Sequence, residues 1–358
     1  MSTKNLLITF DYELFLGKRS GRPIDCILQP TQLLLDKLKL YGAKAVFFVD
    51  STYLTRLKEQ GKTNPECLDD LKEIGNQLIE MVKAGHYVEP HIHPHWLDAV
   101  YDTTTREFDL SDITRYRFHQ LTDTDKKEVF TSSVQILNHI ILPHFPNYKV
   151  NAFRAGGWSI QPFSDFKQQF IEHGIRYDLT VVNRLYQFSN AQLFDYSDAP
   201  KNHVYYFDNR VEEENPNGKF IQIGSSVIPI TKNLDLADRI YKKLLNIFKL
   251  DKDYGKGEGQ ASYPIEGHQP RSKNGINIFS RTHEVASFEN LSLIKLFVYK
   301  KHLNQTNFLH LVSHPKMLGR HNLFIFDQFL KSVYKKDKIE TDYIKIAENY
   351  LKLKAVQK

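Results

Sequence analysis

The chain has 358 residues, and its 41% hydrophobic and 13% aromatic content suffices for a large core. Its 48 basic and 42 acidic residues give a net charge of +6 spread along the chain, without a polybasic arm that would indicate nucleic acid. No apolar run approaches the roughly 20 residues of a membrane helix, no secretory signal precedes the first predicted strand, and Cys26 and Cys67 are typical of free thiols. We therefore expect a cytoplasmic protein, and peripheral attachment to the inner membrane surface stays open.

The first part of the chain predicts alternating strands and helices. Residues 6–10 form a continuous apolar run, which is typical of a strand buried on both faces. The elements predicted next are a helix over 31–41, a strand over 45–49, a helix over 68–84 and a strand over 87–88. This alternation indicates a parallel sheet.

The rest of the chain continues the pattern with two long insertions. The elements predicted there are a polar insertion over 97–123, a helix over 125–141, strands over 150–153 and 178–182 around a helix over 163–173, strands over 205–207 and 220–223, a helix over 235–248, an exposed loop over 251–275 that could act as a lid, a helix over 288–303, a strand over 308–313, and helices over 327–334 and 339–354. Length alone allows two domains or one α/β barrel. We expect one domain over 1–325, with the C-terminal helices, 326–358, packed on it.

Three histidines lie at alternate positions directly after the third predicted strand. His91, His93 and His95 are separated by single residues and flanked by Glu89 and Trp96. Imidazole is the commonest transition-metal ligand in proteins. A solvated histidine-rich loop is the alternative, but the density of the cluster favours a divalent metal site.

Other polar residues also stand at predicted strand ends. Asp11 and Glu13 follow the first strand, Arg154 follows another, and His314 follows the strand over 308–313. In α/β folds the carboxyl ends of parallel strands carry the functional site. Asp11 and Glu13 point to the same side of an extended chain, and two such carboxylates need a cation or a proton between them. Exposed loop acids are the alternative.

The order of these residues resembles that of the NodB-like polysaccharide deacetylases, carbohydrate esterase family 4. Five short motifs over about residues 4 to 320 carry the resemblance. The family's Thr-Phe-Asp-Asp corresponds to Thr9-Phe-Asp-Tyr-Glu13, its His-x-x-x-His to His91-Ile-His-Pro-His95, its Arg-x-Pro-x-Gly to Arg154-Ala-Gly-Gly157, its Asp-bearing motif to Tyr177-Asp178, and its apolar strand ending in His to Leu311-Val-Ser-His314. The His-Pro ending and the histidine block are similar to a divergent, WalW-like branch.

The resemblance implies an α/β fold, a distorted (β/α)7 NodB-like barrel with long loop insertions, and a metal-dependent site. Asp11 would be the general base. Glu13, His91 and His95 would hold one divalent ion, with zinc the expected metal and His93 a substitute ligand. A carboxylate and two imidazoles leave positions open on such an ion for water and the acyl oxygen.

The resemblance also implies roles around the base. Arg154 would orient Asp11 and lower its pKa, Asp178 would brace Arg154, and His314 would be the general acid that protonates the leaving amine. The residues expected to contact substrate are Trp158, Trp96 and Leu311. Two departures matter: Glu13 lies one place beyond the family's second Asp, and Gly156 stands where the family has Pro.

We therefore expect a metal-dependent hydrolase of C–N bonds. It would remove an N-acyl group, in the simplest case acetyl, from an amino sugar of a surface glycan or glycolipid precursor. Two alternatives stay open. The first is a NodB-like amidohydrolase acting on a small amide, which a small closed pocket would favour. The second is a catalytically degenerate barrel that binds carbohydrate, because a fold does not fix a function.

Overall fold

A computed structural model describes residues 3–248, 250 and 252–356 of the chain, so the ends of the predicted segments 1–325, 251–275 and 326–358 partly lie outside the described residues. The strands in this part are β1 (Thr3–Tyr12), β2 (Val46–Asp50), β3 (Tyr87–Ile92), β4 (Val100–Asp102), β5 (Glu107–Asp109), β6 (Ala152–Ala155), β7 (Tyr177–Asp178), β8 (Leu185–Phe188), β9 (Leu193–Asp195), β10 (Val204–Phe207), β11 (Phe220–Ile223), β12 (Val227–Pro229), β13 (Ile276–Asn277), β14 (His283–Val285), β15 (Phe308–Ser313) and β16 (Lys338–Glu340).

Helices surround the main sheet and fill the connections between its strands. They are α1 (Gln29–Tyr41), α2 (Ser51–Gln60), α3 (Glu66–Lys83), α4 (Asp123–Ile141), α5 (Ser164–His173), α6 (Lys232–Ile247), α7 (Leu296–Thr306), α8 (Arg320–Tyr334) and α9 (Tyr343–Val356). None of the helices in the described ranges is long and apolar enough to cross a membrane.

One mixed α/β sheet organises the molecule. Its strand order is β10-β11-β7-β6-β3-β2-β1-β15, and β16 pairs with β1. β10 is antiparallel to β11, and the other neighbours are parallel. β1 is buried from Leu6 onward, as its continuous apolar run predicts. The parallel arrangement brings the carboxyl ends of β1, β3, β6 and β15 to one edge of the sheet.

The sheet is curled. The backbone N–H of Ser225 donates to the carbonyl of Val181 at 2.9 Å, and the next residue, Ser226, donates to the carbonyl of His310 in β15 at 3.2 Å. The segment that follows β11 therefore contacts both β15 and the chain that follows β7. This curled sheet agrees with the predicted α/β class.

Several predicted boundaries are wrong for identifiable reasons. The helix α2 was not predicted; it begins because the carboxylate of Asp50 caps it by accepting from the backbone N–H of Tyr53 at 3.3 Å. The helix predicted over 288–303 begins only at Leu296. Phe288 is instead tied to β15, since its backbone N–H donates to Ser313 Oγ at 2.8 Å.

The two insertions are structured where they are described. The first contains the β4–β5 hairpin and buries Tyr116, Phe118 and Leu121. The second forms short bridges to the body of the protein, from Asp253 to Gly319 and from Pro264 to Ser189. These insertions therefore contribute walls around the carboxyl edge of the sheet.

The last helix packs on the opposite, amino-terminal part of the sheet. Tyr343, at the start of α9, donates a hydrogen bond from its hydroxyl to Glu89 Oε1 at 3.1 Å. Ile346 and Ala347 are buried in the same cluster as Leu7 and Phe48 of β1 and β2. α9 thus covers apolar side chains of the sheet.

Candidate active site

Asp11 is the buried carboxylate at the end of β1. One of its oxygens accepts a short hydrogen bond from Arg154 of β6. The Arg154 guanidinium is itself fixed, because it donates to Thr9 Oγ1 at 2.8 Å and to the carbonyl of Leu179 at 3.1 Å. Burial raises the pKa of Asp11, but Arg154, with His91 and His314, outweighs burial and lowers that pKa below its ordinary value.

His310 completes the cradle of Arg154. This fully buried histidine of β15 has Nε2 at 3.2 Å from the Arg154 guanidinium and Nδ1 at 3.2 Å from the carbonyl of Gly224. Burial, followed by the charge of Arg154, lowers its pKa well below the ordinary value, so the ring is neutral. A neutral imidazole with Nδ1–H toward Gly224 can accept from Arg154 through Nε2. The tautomer is inferred from these two contacts.

Glu13, His91 and His93 form the group of potential metal ligands in the described part of the chain, and their ligand atoms all lie within 4.8 Å of one another. Glu13 Oε2 is 3.3 Å from His91 Nε2 and 3.3 Å from His93 Nδ1. These three buried atoms have no hydrogen-bond partner among the described residues. The other nitrogen of His91 lies 2.8 Å from the carbonyl of Arg154, which orients the ring; a neutral ring that donates from Nδ1 to this carbonyl presents a ligand lone pair on Nε2.

His95 lies outside this group, although the resemblance predicts it as a ligand. A short 3-10 helix, Pro94–Asp98, begins between His93 and His95 and ends the alternation of side chains that an extended chain would have. The ring of His95 stacks on Tyr116 with 4.6 Å between ring centroids. Burial lowers the pKa of His95 to about 3. The substitute ligand of the prediction, His93, takes the position beside Glu13.

Trp96 does not line the cavity. It was predicted to contact substrate, but its side chain is buried away from the site. The same short helix turns the indole into the core, where it is 1% exposed. Its Nε1–H donates to Asp50 Oδ2 at 2.6 Å, and its ring packs against Tyr53 with 4.6 Å between centroids. Trp96 therefore holds Asp50, whose Oδ2 is also 3.3 Å from His93 Nδ1.

His314 follows β15 and faces the carboxylates. Its Nε2 is 3.6 Å from Asp11 Oδ2 and 3.6 Å from Glu13 Oε1. Its Nδ1 is 2.9 Å from Glu289 Oε1, and the same oxygen accepts a short bond from the His314 backbone N–H. Burial lowers the pKa of His314, but Glu289, Asp11 and Glu13 outweigh it and raise the pKa to about 9.

Lys316 provides a second cation that the sequence reasoning missed. Its Nζ donates to Glu13 Oε1 at 2.8 Å and to the carbonyl of Leu14 at 2.6 Å. Burial raises the pKa of Glu13, but Lys316 and the neighbouring histidines outweigh it and hold that pKa well below the ordinary value. Lys316 leaves the second oxygen of Glu13, Oε2, directed at His91 and His93.

Asp178 does not contact Arg154 directly, although the resemblance predicts that it braces this residue. Its two oxygens accept from the backbone N–H of Thr180 at 3.1 Å and from the Thr180 hydroxyl at 2.6 Å. Burial raises the pKa of Asp178 to about 7, against the smaller effects of Thr180 and Arg154. Asp178 therefore acts on the turn after β7, and it reaches Arg154 only through its charge.

A cavity of about 170 Å³ opens over Asp11, Glu13 and the histidines. Trp158 lines it, is half-buried and adopts a left-handed backbone with φ 56°; its contact with substrate stays a prediction. Leu311 does not line the cavity, because its side chain is fully buried in the core. The remaining lining residues are Leu16, His91, His93, Tyr116, Ala155, Gly157, Gln192 and His314.

The departure from the family's Pro at Gly156 has a steric reason. A Cβ at this position would lie 2.6 Å from His93 Cδ2 and 2.5 Å from the carbonyl oxygen of Ile92. The His93 ring thus occupies the space that any larger residue would need. The turn after β6 and the position of His93 are therefore coupled.

Some of the missed residues carried a signal in the sequence. Asp50 ends the buried strand β2, so the strand-end rule applied to Asp11 would also have found it. Lys316 lies two residues beyond His314, but a lone lysine is not distinctive. Glu289 and Tyr116 come from segments far away in sequence, and only the fold brings them to the site.

No family model matches the sequence, and no curated protein is significantly similar to it. The similar solved structures include a protein from Mycobacterium smegmatis assigned as a polysaccharide deacetylase, at 14% identity and a TM-score of 0.47 over 99% of this chain and 92% of the other. They also include a family 4 carbohydrate esterase from Streptomyces lividans with bound acetate, at 15% identity and a TM-score of 0.29 over 50% of this chain and 63% of the other.

A family 4 pseudoenzyme from Bacillus anthracis is similar as well, at 12% identity and a TM-score of 0.28 over 49% of this chain and 42% of the other. The predicted resemblance is confirmed in this sense: the structural neighbours are NodB-like polysaccharide deacetylases of carbohydrate esterase family 4, at low sequence identity.

Proposed function

We propose that the chain is a metal-dependent hydrolase that removes an N-acyl group, in the simplest case acetyl, from an amino sugar of a surface glycan or glycolipid precursor. We regard the curled sheet as a distorted (β/α)7 barrel, with β11, β7, β6, β3, β2, β1 and β15 as its parallel strands. One observation carries the proposal. A carboxylate held by Arg154 and a histidine backed by Glu289 lie beside three buried ligand atoms for which the described part of the chain supplies no hydrogen-bond partner.

The residues at the site fit a divalent ion. Two ligand atoms at about 2.1 Å from a tetrahedral ion lie roughly 3.4 Å apart, and Glu13 Oε2 is 3.3 Å from each of His91 Nε2 and His93 Nδ1. We therefore assign Glu13, His91 and His93 as the residues that would hold the ion, with zinc the expected metal. When bound, the ion would polarise the acyl oxygen and acidify a water molecule.

Asp11 and His314 divide the proton transfers between them. Asp11 stays ionised beside Arg154 and accepts the proton of the attacking water. His314, with a pKa of about 9, is protonated near neutral pH and donates to the leaving amine. Glu289 keeps His314 in position through Nδ1, so that Nε2–H faces the reacting atoms.

The volume of the cavity bears on the substrate. Pockets that enclose a drug-sized ligand measure roughly 300–1,000 Å³, whereas this cavity measures about 170 Å³. It accommodates an acyl group and the adjoining atoms, and the half-buried Trp158 and His314 place its rim toward solvent. The same small volume favours the second candidate, an amidohydrolase acting on a small amide.

The test is a product assay with metal-loaded protein. Acetate release would be measured from N-acetylated sugars and sugar nucleotides, and amine or ammonia release from a panel of small amides. We expect acetate from an N-acetylated sugar, lost in Asp11→Asn and His314→Gln. Amine release from small amides alone would favour the second candidate. Absence of product from every substrate, with the metal bound, would overturn both.

A further inference from the structure

The helix α6 presents an apolar stripe that no described part of the chain covers. Its exposed residues are Leu236 at 60%, Ile240 at 54%, Leu244 at 48%, Ile247 at 62% and, just after the helix, Phe248 at 68%. At about 100° per residue, the four aliphatic residues fall within an arc of roughly 80°. The stripe is therefore a continuous apolar surface along the length of the helix.

The opposite part of α6 is fixed to the protein by polar contacts. Asp238, buried in the middle of the helix, pairs with Lys295 at 2.9 Å and accepts from the Ser292 hydroxyl. Lys242 donates to the carbonyl of Glu289, the residue behind His314, at 3.4 Å. These contacts determine the rotation of the helix about its axis, so the exposed position of the stripe follows from them.

Cations flank the stripe on one side. Lys232, Arg239 and Lys243 are exposed and fall within an arc of roughly 40° next to Leu236 on the same helix. Asp235, which pairs with Arg239 at 3.1 Å, lies farther from the stripe. An aliphatic face bordered by lysine and arginine is the arrangement with which amphipathic helices lie in the interface of a bilayer that contains anionic lipids.

We propose that α6 is a membrane-docking helix that places the protein on the surface of an anionic lipid bilayer. The aliphatic stripe enters the boundary between headgroups and acyl chains, while the three cations contact lipid phosphates. A bilayer fits better than a second protein surface, because the stripe is convex, its residues within the helix are all aliphatic, and Lys232 and Lys243 border it, whereas lysine is depleted at protein interfaces. This docking is independent of the proposed function.

The test is co-sedimentation of the full chain with vesicles. Vesicles of phosphatidylcholine containing about one third phosphatidylglycerol are compared with pure phosphatidylcholine, at low and high salt. The triple variant Leu236→Ser, Ile240→Ser and Ile247→Ser removes the stripe. The matched control, Leu40→Ser and Ile171→Ser, changes exposed apolar residues on α1 and α5. Thermal unfolding of each variant verifies that it folds.

We expect the wild type and the control to bind the anionic vesicles, with binding weakened by salt. The triple variant should bind at least about tenfold more weakly, and Lys232→Glu with Lys243→Glu should lower binding on the order of tenfold or more. Equal binding by the triple variant and the control would overturn the proposal. A wild type that does not bind anionic vesicles would also overturn it. So would a wild type that forms a dimer, if the triple variant loses the dimer and neither protein binds lipid.

Discussion

Asp11 and Asp178 are the same residue type, both are buried, and both lie at the carboxyl ends of parallel strands, yet their pKa values move in opposite directions. Burial raises the pKa of Asp178 to about 7, because its hydrogen-bond donors are the neutral groups of Thr180. The pKa of Asp11 is lowered, because Arg154, His91 and His314 outweigh the same effect of burial. The charge environment, and not the position in the sheet, therefore sets the direction of each shift and favours Asp11 over Asp178 as the proposed base.

One end of the sheet thus carries two buried carboxylates, one with a lowered and one with a raised pKa. Arg154 donates hydrogen bonds to Asp11 and to Thr9. It affects Asp178 only through its charge, without a direct hydrogen bond. Among the described residues, the one buried guanidinium is thus directed at the carboxylate that we propose as the base. Asp178 remains a hydrogen-bond acceptor for the turn that follows β7.

The largest expected effect is on turnover when the two aspartates are changed in the same way. Asp11→Asn should lower the rate by about 10³-fold, because the general base is lost. Asp178→Asn should change it by less than about tenfold, since this residue does not line the cavity and bonds to Thr180 rather than to Asp11. Acetate release under saturating substrate measures both. Equal losses in the two variants would contradict the assignment of Asp11 as the base.

Removing the Arg154 guanidinium should leave Asp11, like Asp178, without a hydrogen bond from a cation. Arg154→Met leaves a buried carboxylate without its partner, which costs about 3–5 kcal/mol of stability. Urea unfolding measures this loss. The double variant Arg154→Met with Asp11→Asn should regain part of it, because the uncompensated charge is gone. Additive losses in the double variant would mean that the pair is not coupled.

Asp178 should make stability depend on pH. Its folded pKa, about 7, lies above the ordinary value of 3.8, so the folded protein binds the proton more tightly than the unfolded chain. The resulting stability is present below about pH 4 and is lost as the pH rises through 7, by on the order of 4 kcal/mol at about 1.4 kcal/mol per pKa unit. In urea unfolding, Asp178→Asn should be less stable than the wild type at about pH 5. At about pH 8 the difference in unfolding free energy should vanish or change sign. A constant difference would show that Asp178 is ionised in the folded state.

A smaller effect is expected from Gly156→Ala. The added methyl group would lie 2.5 Å from the Ile92 carbonyl oxygen and 2.6 Å from the His93 ring, so the turn and the ring must shift, at a cost of about 1–3 kcal/mol, and metal binding should weaken. Gly259→Ala is the control, because a Cβ there meets no atom within 4 Å. Metal titration and thermal unfolding measure the two consequences. Unchanged metal affinity in Gly156→Ala would remove His93 from the ligand set.

The sequence identified the strand ends well, because each is a local pattern. An apolar run followed by Asp11, Arg154 or His314 predicts a buried strand whose polar end joins the site, and the structure places all three together. The histidine block was predicted as a cluster, but alternation failed after Pro94, where a 3-10 helix turns His95 toward Tyr116 and Trp96 into the core. A change of backbone geometry within two residues is not visible in side-chain periodicity.

The partners of the site residues could not be predicted for another reason. Glu289 reaches His314 from 25 positions away along the chain, and Lys316 reaches Glu13 from 303 positions away. Such contacts depend on how loops cross the carboxyl edge of the sheet, which composition and spacing do not encode. The raised pKa of Asp178 could not be predicted for the same reason. It follows from the hydrogen bond of Arg154 to Asp11 instead of Asp178, a choice that only the fold determines.

The metal content of the purified protein, measured beside that of the variants Glu13→Ala, His93→Gln and His95→Gln, tests the assigned metal ligands. We expect about one divalent ion per chain in the wild type, its loss in Glu13→Ala and His93→Gln, and its retention in His95→Gln, whose ring stacks on Tyr116 outside the ligand group. Loss in His95→Gln with retention in His93→Gln would contradict the ligand assignment. A wild type that takes up no zinc, cobalt or nickel would contradict the metal site itself and would favour a carbohydrate-binding barrel in which Lys316 is the cation beside Glu13.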